Sequence, residues 1–253
     1  MHNWTNIFFS NIGKRENNQD FICINSIKSK RRRIQLMLVC DGVGGRPNGK
    51  ECSEIVGCEL SKQINSYLKK RKSKLSLSRL DTDKLLRIIS NLPVLNGLSE
   101  SRTTVSLLIV DKKETCRGYS CITLWAGDSR IYSVDTLGNA KQISKDQYDD
   151  NGHLSVVYTG EGKLVGKLGY SFFTIKDPLL FCITTDGMNS SLKGLFNFFV
   201  ACVYHGIYSN QEFEYQTTKF LGKLISDNYS AIMIYRKYSK ISLARIYRNI
   251  SLK

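Results

Sequence analysis

The stretch IQLMLVCDGVGG, residues 34–45, carries the strongest structural signal in this chain. Apart from Gln35, residues 34–40 are apolar on both alternating faces, which is typical of a strand that is buried on both sides. The run ends at Asp41, and three of the four residues that follow are glycine. The stretch therefore predicts a central strand that delivers a carboxylate to a loop where other backbone can approach closely.

Seven further runs of β-branched and aromatic residues predict strands, at 21–25, 104–110, 120–126, 130–134, 154–158, 179–184 and 230–235. Apolar residues at helical spacing predict helices at 51–68 and 81–91, and two more helices are expected at 192–208 and 211–226. The order is strands, two helices, strands, two helices and a final strand. This order differs from the strict alternation of a parallel doubly wound sheet and predicts an α+β fold, with antiparallel sheets covered by helix pairs.

The length and composition favour one globular domain. A chain of 253 residues can bury a single large core, and no repeat or linker divides it. Hydrophobic residues make up 42% and charged residues 23%, which excludes a disordered chain or a fibre. The net charge of +15 favours anionic partners, whether phosphorylated proteins, nucleic acid or an acidic membrane face.

Cysteine usage and the chain ends bear on the compartment. The eight cysteines are scattered, none forms a C-x-x-C pair, and most lie in apolar runs, so we expect buried free thiols in a reducing cytosol. The first residues lack a basic segment followed by an apolar one, so we expect no signal peptide. The longest apolar stretch, residues 195–204, is about half of what a bilayer span requires. We therefore expect a cytoplasmic protein without a membrane span.

Several common catalytic motifs are absent. Residues 160–167 resemble a phosphate-binding loop, but the glycine spacing is wrong and Leu168 replaces the expected serine or threonine. There is no H-E-x-x-H or G-x-S-x-G motif, and only three histidines occur, which argues against a histidine-rich zinc site.

Five aspartates stand at the ends of apolar strands: Asp20, Asp41, Asp128, Asp186 and Asp227. A single D-G pair usually marks only a turn. Five carboxylates near a core are costly without a compensating charge, so the set implies a bound cation. Oxygen-only ligands suit Mg²⁺ or Mn²⁺ better than zinc.

Five short motifs occur in a fixed order: R-x-x-N-Q-D at 15–20, D-G-V-G-G at 41–45, G-D-S-R-I-Y at 127–132, T-D-G at 185–187 and D-N-Y-S-A-I-M-I at 227–234. The ordered set resembles the metal-dependent Ser/Thr protein phosphatases of type 2C (PPM) in their compact bacterial form, over nearly the whole chain. The resemblance implies a four-layer α/β/β/α sandwich of two antiparallel sheets flanked by helix pairs. It assigns residues 1–235 to the phosphatase domain and leaves 236–253 as a basic C-terminal extension.

The resemblance also implies a catalytic set. Asp41 would bridge two Mn²⁺ or Mg²⁺ ions, and the carbonyl of Gly42 would bind one of them. Asp186 and Asp227 would complete the shell of the other ion, and Asp20 would hold metal-bound waters. A water activated by the two ions would attack the phosphorus of phosphoserine or phosphothreonine, and no phosphoenzyme would form.

Arg15 matches the arginine that grips the substrate phosphate, for which its planar bidentate fork is well suited. Asp128 matches a ligand of a possible third ion, but Ser190 stands where many relatives carry the aspartate that helps to hold it. Val43 replaces a histidine found in some relatives, and Arg102 replaces a glycine at the rim of the site.

Basic residues cluster at 28–33 and 69–74. They form either an ordinary solvated surface or a docking site for acidic or phosphorylated proteins. No aromatic-interleaved motif accompanies them, so we expect no specific nucleic-acid binding. We expect a monomer whose partners are phosphorylated proteins, among them a Ser/Thr kinase and its substrates. A catalytically weak phosphatase-fold protein that binds or regulates phosphoproteins is the alternative, and a nucleic-acid-binding protein is a remote one.

Residues 236–253 contain six basic residues and no acidic one. Leu243, Ile246, Tyr247 and Ile250 recur at the spacing of one helical stripe. We expect this stripe to pack on the domain, because the segment has no tryptophan or phenylalanine that could anchor it in lipid.

Overall fold

The computed structural model describes residues 4–29, 32–70, 77–92, 98–112, 115–137, 139–191, 209–221 and 225–236. Its longer strands are β1 (Trp4–Asn11), β2 (Asp20–Ser29), β3 (Arg32–Asp41), β5 (Val105–Asp111), β6 (Tyr119–Ala126), β7 (Arg130–Asp135), β11 (Gly169–Ile175), β12 (Pro178–Thr184) and β13 (Tyr229–Arg236). Its shorter strands are β4 (Arg102–Thr103), β8 (Ala140–Gln142), β9 (Val157–Thr159) and β10 (Leu164–Val165). The helices are α1 (Gly49–Lys70), α2 (Arg79–Ser90) and α3 (Asn210–Leu221), and a 3₁₀-helix covers Asp186–Ser191.

Two five-stranded sheets dominate the fold. One has the order β1-β13-β12-β7-β8 and the other β11-β6-β5-β3-β2, and a small third sheet has the order β10-β9-β4. All of these strand pairs are antiparallel. The predicted α+β fold with antiparallel sheets is confirmed.

Strand β3 is buried on both faces, as its sequence predicts. Leu36, Leu38 and Cys40 belong to the core cluster that includes the apolar residues of α1 and α2. Met37 and Val39 point the other way and pack with residues of β12 and β13 in the second sheet. Because side chains alternate along a strand, one apolar run fills both the space between the sheets and the space beneath the helices.

The two helices on this side bury the apolar stripes that their sequences predict. Val56, Leu60 and Ile64 on α1 are fully buried, and so is Leu85 on α2. Helix α2 begins two residues earlier than predicted because Ser78 caps it: its backbone N–H and its hydroxyl both donate to the Asp81 carboxylate, at 2.8 Å. None of the described helices is long and apolar enough to cross a membrane.

Helix α3 lies on the outer side of the other sheet. The rings of Phe213 on α3 and Phe9 on β1 pack edge to face with centroids 5.4 Å apart. The helix predicted at 211–226 is therefore present over Asn210–Leu221, residues 222–224 lie outside the described residues, and residues 225–226 are not helical. The helix predicted at 192–208 lies outside the described residues, so the helix pair on this side, and with it the complete four-layer arrangement, stays a prediction. The extension also lies outside the described residues, except for Arg236, which ends β13.

Several strands were not predicted. β1 is rich in Asn, Thr and Ser, and its order comes from pairing with β13 over its whole length. β11 pairs with β6 over seven residue pairs, although its glycine and serine weakened the strand signal. The strand predicted at 154–158 is shifted to Val157–Thr159. The reason is that Ser155 donates its N–H to the carbonyl of Gln147 and closes a loop instead.

The described cysteines are all free thiols. Cys40, Cys52, Cys121 and Cys182 are buried, as expected, whereas Cys58 and Cys116 are exposed. Cys202 lies outside the described residues.

Candidate metal centre

Loops at one end of the two sheets converge on an acidic cleft of about 130 Å³. Its lining includes five of the predicted site residues and the possible third-ion ligand: Arg15, Asp41, Gly42, Asp128, Asp186 and Asp227. Asp20 does not line the cleft, but it pairs directly with Asp41 across β2 and β3, so both residues stand at the same sheet edge. The structure thus brings together all seven residues that the sequence singled out.

The glycines of the two D-G pairs permit this convergence. A Cβ atom on Gly42 would lie 2.4 Å from the carbonyl oxygen of Gly49, at the start of α1. A Cβ atom on Gly187 would lie 2.0 Å from the carbonyl oxygen of Asn228, next to Asp227. A side chain at position 42 would therefore push the start of α1 away from the loop that follows Asp41. A side chain at position 187 would push apart the segments that carry Asp186 and Asp227.

Only one of the two carboxylate oxygens of Asp20 has hydrogen-bond partners among the described residues. Its Oδ2 accepts hydrogen bonds from Thr185 Oγ1 at 3.0 Å and from Ser230 Oγ at 2.6 Å. Its Oδ1 is buried and has no hydrogen-bond partner among the described residues. Burial raises the pKa of Asp20 to about 6, against the opposing effect of these hydroxyl groups. A buried carboxylate oxygen without a donor is an available ligand atom.

The neighbouring carboxylates repel one another. Burial raises the pKa of Asp41 well above its usual range, and the charges of Asp20, Asp186 and Asp128 raise it further. The pKa of Asp186 is raised first by desolvation in the cleft and then by Asp128 and Asp227. Among the cleft-lining residues Arg15 supplies the one positive charge. The cleft therefore has an excess of negative charge that a bound cation would neutralise.

Arg15 forms a bidentate ion pair with Asp227. Its Nε donates to Oδ1 at 2.8 Å and its Nη2 donates to Oδ2 at 2.7 Å. The hydrogen bonds and charge of Asp227 raise the pKa of Arg15. Both oxygens of Asp227 are thus engaged by the residue predicted to grip the phosphate. Asp227 can bind a metal through both oxygens only if Arg15 turns away, and a half-exposed arginine has room to do so.

Asp128 has a different partner. It is 6% exposed, and its Oδ2 accepts a hydrogen bond from the hydroxyl of Tyr148. The loop that carries Tyr148 is held in place by Gln147, whose N–H donates to the carbonyl of Gly127 and whose Oε1 accepts from the N–H of Gly127. The residue predicted to hold a third ion is therefore already engaged by a tyrosine.

Other positioning residues were missed by the sequence reasoning. The backbone carbonyl of Asp41 accepts hydrogen bonds from Thr103 Oγ1 at 2.9 Å and from the N–H of Thr104 at 2.8 Å. Asn228 Nδ2 donates to the carbonyls of Ile12 and Asn17 and so fixes the loop that carries Arg15. Asn228 lies within the D-N-Y-S-A-I-M-I motif, and Thr103 and Thr104 follow Arg102, but nothing in the sequence pattern shows where their side chains point.

The three departures from the family pattern have different positions. Val43 lines the cleft. Arg102 does not: its guanidinium donates to the carbonyls of Ser99 and Ser101 and is thereby held against its own loop. Ser190 lies in the 3₁₀-helix, and its side chain is outside the described set.

The donor set fits hard divalent cations. Within the described ranges, no three or more His, Cys, Asp or Glu side chains already form a ready-made metal site. The oxygen-only donors, the unpartnered Oδ1 of Asp20 and the mutual repulsion of the carboxylates nevertheless match the requirements of Mg²⁺ or Mn²⁺. An ion would draw these carboxylates together by neutralising their repulsion.

Because these pKa values are raised, we expect the metal-free protein to be more stable to unfolding at acidic pH than at neutral pH. Burial raises the pKa of Asp20 from the usual 3.8 of an aspartate to about 6 in the folded chain, so the folded state binds the proton more tightly. Its contribution to stability is full below pH 3.8 and is lost as the pH rises through about 6. In EDTA we expect a higher melting temperature at about pH 5 than at about pH 7.5, measured by scanning calorimetry. Asp20→Asn should flatten this slope, and a wild-type protein that is more stable at the higher pH would contradict the assignment.

Comparisons with known proteins agree with this architecture. No family model and no curated protein matches the sequence. Among solved structures, a serine/threonine phosphatase from Staphylococcus aureus superposes with a TM-score of 0.64 at 17% identity, covering 93% of this chain and 95% of the other. One from S. agalactiae gives 0.64 at 17% identity, covering 92% and 99%. A serine-threonine phosphatase 2C from Toxoplasma gondii gives 0.61 at 14% identity, covering 94% and 99%. The predicted α+β fold with two antiparallel sheets is therefore confirmed, as in these phosphatases.

Proposed function

We propose that this chain, which has the fold of the type 2C serine/threonine phosphatases, is a metal-dependent phosphoprotein phosphatase. One observation carries the proposal: aspartates from separate chain segments meet one arginine in a single small cleft. The combination of clustered carboxylates and a guanidinium suits a site that holds divalent cations and a phosphate group together.

The residues of the cleft would have different roles. Asp41, Asp186 and Asp227, with the carbonyl of Gly42, would hold two Mn²⁺ or Mg²⁺ ions, and Asp20 would accept hydrogen bonds from waters around them. When bound, such ions lower the pKa of water, neutralise the phosphoryl oxygens and orient an in-line displacement. Thr185 and Ser230 keep the carboxylate of Asp20 in one orientation through their hydrogen bonds.

Arg15 would bind the phosphate of the substrate. Its fork already makes two parallel hydrogen bonds to a carboxylate, and a phosphate offers the same pair of acceptor oxygens. Once a cation neutralises Asp227, the attraction between Arg15 and Asp227 weakens and the guanidinium becomes available to the substrate. The arginine then positions the phosphoester and compensates its charge in the transition state.

The substrates would be phosphoserine and phosphothreonine in proteins, and the opposing enzyme a Ser/Thr kinase. We expect a cytoplasmic monomer that reverses the action of such a kinase. Val43 stands where some relatives carry a histidine and has no titratable group, so we expect water in the site to supply the proton for the departing hydroxyl.

Hydrolysis of p-nitrophenyl phosphate tests this function. We expect EDTA-treated protein to be inactive and added Mn²⁺ to restore steady turnover, because the carboxylates alone cannot neutralise a phosphate dianion. Binding of a phosphopeptide without turnover in Mn²⁺ or Mg²⁺ would instead indicate the catalytically weak regulatory module. Arg102, a departure from the family pattern that favours this alternative, does not line the cleft and donates to the carbonyls of Ser99 and Ser101.

A further inference from the structure

A row of three cations crosses the β11-β6-β5-β3-β2 sheet at the end opposite the acidic cleft. Lys28 on β2 pairs directly with Arg33 on β3. Lys112 follows β5, and its N–H donates to the carbonyl of Arg33 at 2.8 Å. Since Ile34 pairs with Asp111, Lys112 stands opposite Arg33. We call Lys28, Arg33 and Lys112 the distal row.

All three side chains of the distal row belong to one face of the sheet. Ile24 on β2, Met37 on β3 and Val110 on β5 face the second sheet and pack in the core between the two. Alternate residues of a strand share a face, and each residue of the distal row lies two or four positions along the chain from one of these three residues. The distal row therefore lies on the same face of the sheet. The row therefore stands at the open end of the space between the sheets.

The positive charges of the distal row are not compensated. In the part of the chain that the structure describes, none of the three residues forms an ion pair. Like charges directly opposite each other destabilise a sheet. Burial, together with the charges of Arg33 and Lys28, lowers the pKa of Lys112 to about 8. An anion placed against the row would relieve this repulsion.

The distal row is separate from the acidic cleft. Lys28 lies eight residues along β2 from Asp20, which corresponds to about 26 Å at the rise of an antiparallel strand. Across the sheet, the row spans two strand spacings, about 10 Å. An extended peptide of about eight to ten residues would reach from the row to the cleft.

We propose that the distal row is an exosite that binds a second phosphorylated, acidic segment of the phosphoprotein whose phosphoester occupies the cleft. This proposal rests on the proposed function. Guanidinium and ammonium groups are the side chains that bind phosphate oxygens best. Bases of a nucleic acid usually stack on aromatic side chains, and the row itself contains none. A peptide anchored at both sites gains effective concentration at the cleft, so the row selects substrates phosphorylated at more than one position.

The test compares two triple variants with the same loss of charge. One removes the distal row by Lys28→Ala, Arg33→Ala and Lys112→Ala. The matched control removes three exposed helical cations outside both basic clusters, by Lys84→Ala, Arg87→Ala and Lys219→Ala. Fluorescence anisotropy measures the binding of a labelled acidic peptide with two phosphothreonines about ten residues apart. EDTA prevents turnover and leaves the cleft negatively charged, so the signal reports the row.

We expect the row variant to bind the peptide at least about tenfold more weakly and the control to change less than about twofold. Hydrolysis of p-nitrophenyl phosphate in Mn²⁺ should be unchanged in both variants, since neither touches the cleft. If the triple variant melts at a lower temperature, the single exposed Arg33→Ala variant is used, with Lys84→Ala as its control.

Equal weakening in both triple variants would overturn the exosite, because it would show only the effect of net charge. The exosite proposal would also be overturned if the distal row bound duplex DNA or anionic phosphatidylserine vesicles more tightly than it binds the peptide. Failure of the proposed function has a different signature: no turnover of p-nitrophenyl phosphate by the wild-type protein in Mn²⁺. These readouts keep the two proposals distinguishable.

Discussion

Replacement of Asp41 by asparagine is expected to lower Mn²⁺-dependent phosphoester turnover by at least about 1,000-fold while the chain stays folded. Burial raises the pKa of Asp41, and the charges of Asp20 and Asp186 raise it further. An amide at this position removes the central negative charge around which the cations would bind. Asp186→Asn should cause a loss of similar size, because its carboxylate faces the same cleft from the second sheet.

The folded state should not suffer from these changes. Each amide relieves repulsion between carboxylates, so the metal-free variants should melt at or above the wild-type temperature. Asp83→Asn on the exposed face of α2 is the charge-matched control and should retain full turnover. Turnover like that of the wild type in Asp41→Asn, at the same Mn²⁺ concentration, would refute the two-metal assignment.

Arg15→Ala is expected to raise KM for a phosphopeptide and to lower the Mn²⁺ concentration at half-saturation. Loss of the guanidinium should raise KM for a phosphothreonine peptide by about 10- to 100-fold, more than it lowers kcat, if Arg15 binds ground and transition states similarly. The same change removes both Arg15 hydrogen bonds from Asp227 and leaves, among the described residues, only the one that Oδ1 accepts from the N–H of Asn228, so half-saturation should occur at a lower Mn²⁺ concentration. Steady-state kinetics against peptide and against Mn²⁺ measure both effects.

Arg15→Lys separates charge from geometry. An ammonium keeps the charge but cannot donate two parallel hydrogen bonds, so KM should recover only in part. Arg87→Ala, at an exposed position on α2, controls for the loss of one positive charge. An unchanged KM in Arg15→Ala would place the guanidinium away from the substrate and leave it as a structural partner of Asp227.

The sequence predicted strands best where burial on both faces requires a continuous apolar run. The apolar run of β3 predicted a strand covered on both faces, and Met37 and Leu38 indeed pack into different cores. The strand β1 was missed because its polar residues give no such pattern, and its order depends on pairing with β13 more than 200 positions away in the chain. Pairing energy of this kind is non-local and leaves no mark on a single segment.

In the candidate site, too, the sequence revealed some features and missed others. Position at a strand end revealed all five aspartates, and the glycines after Asp41 and Asp186 marked where chain segments approach closely. The ion pair of Arg15 with Asp227 joins residues 212 positions apart, and the hydrogen bond from Tyr148 to Asp128 reaches across a loop. Both depend on which side chains the tertiary fold makes neighbours. They also decide the electrostatic state of the cleft, which the order of the motifs does not reveal.

Manganese anomalous scattering from crystals soaked in Mn²⁺ tests the central claim, that the acidic cleft is a two-metal centre, most directly. The account predicts two peaks in the cleft, both in contact with Asp41, one beside the carbonyl of Gly42 and the other beside Asp186 and Asp227. It also predicts that Arg15 leaves Asp227 and that Tyr148 stays on Asp128, with no ion there. An empty cleft at Mn²⁺ concentrations that support turnover, or peaks that Asp41 does not contact, would contradict it.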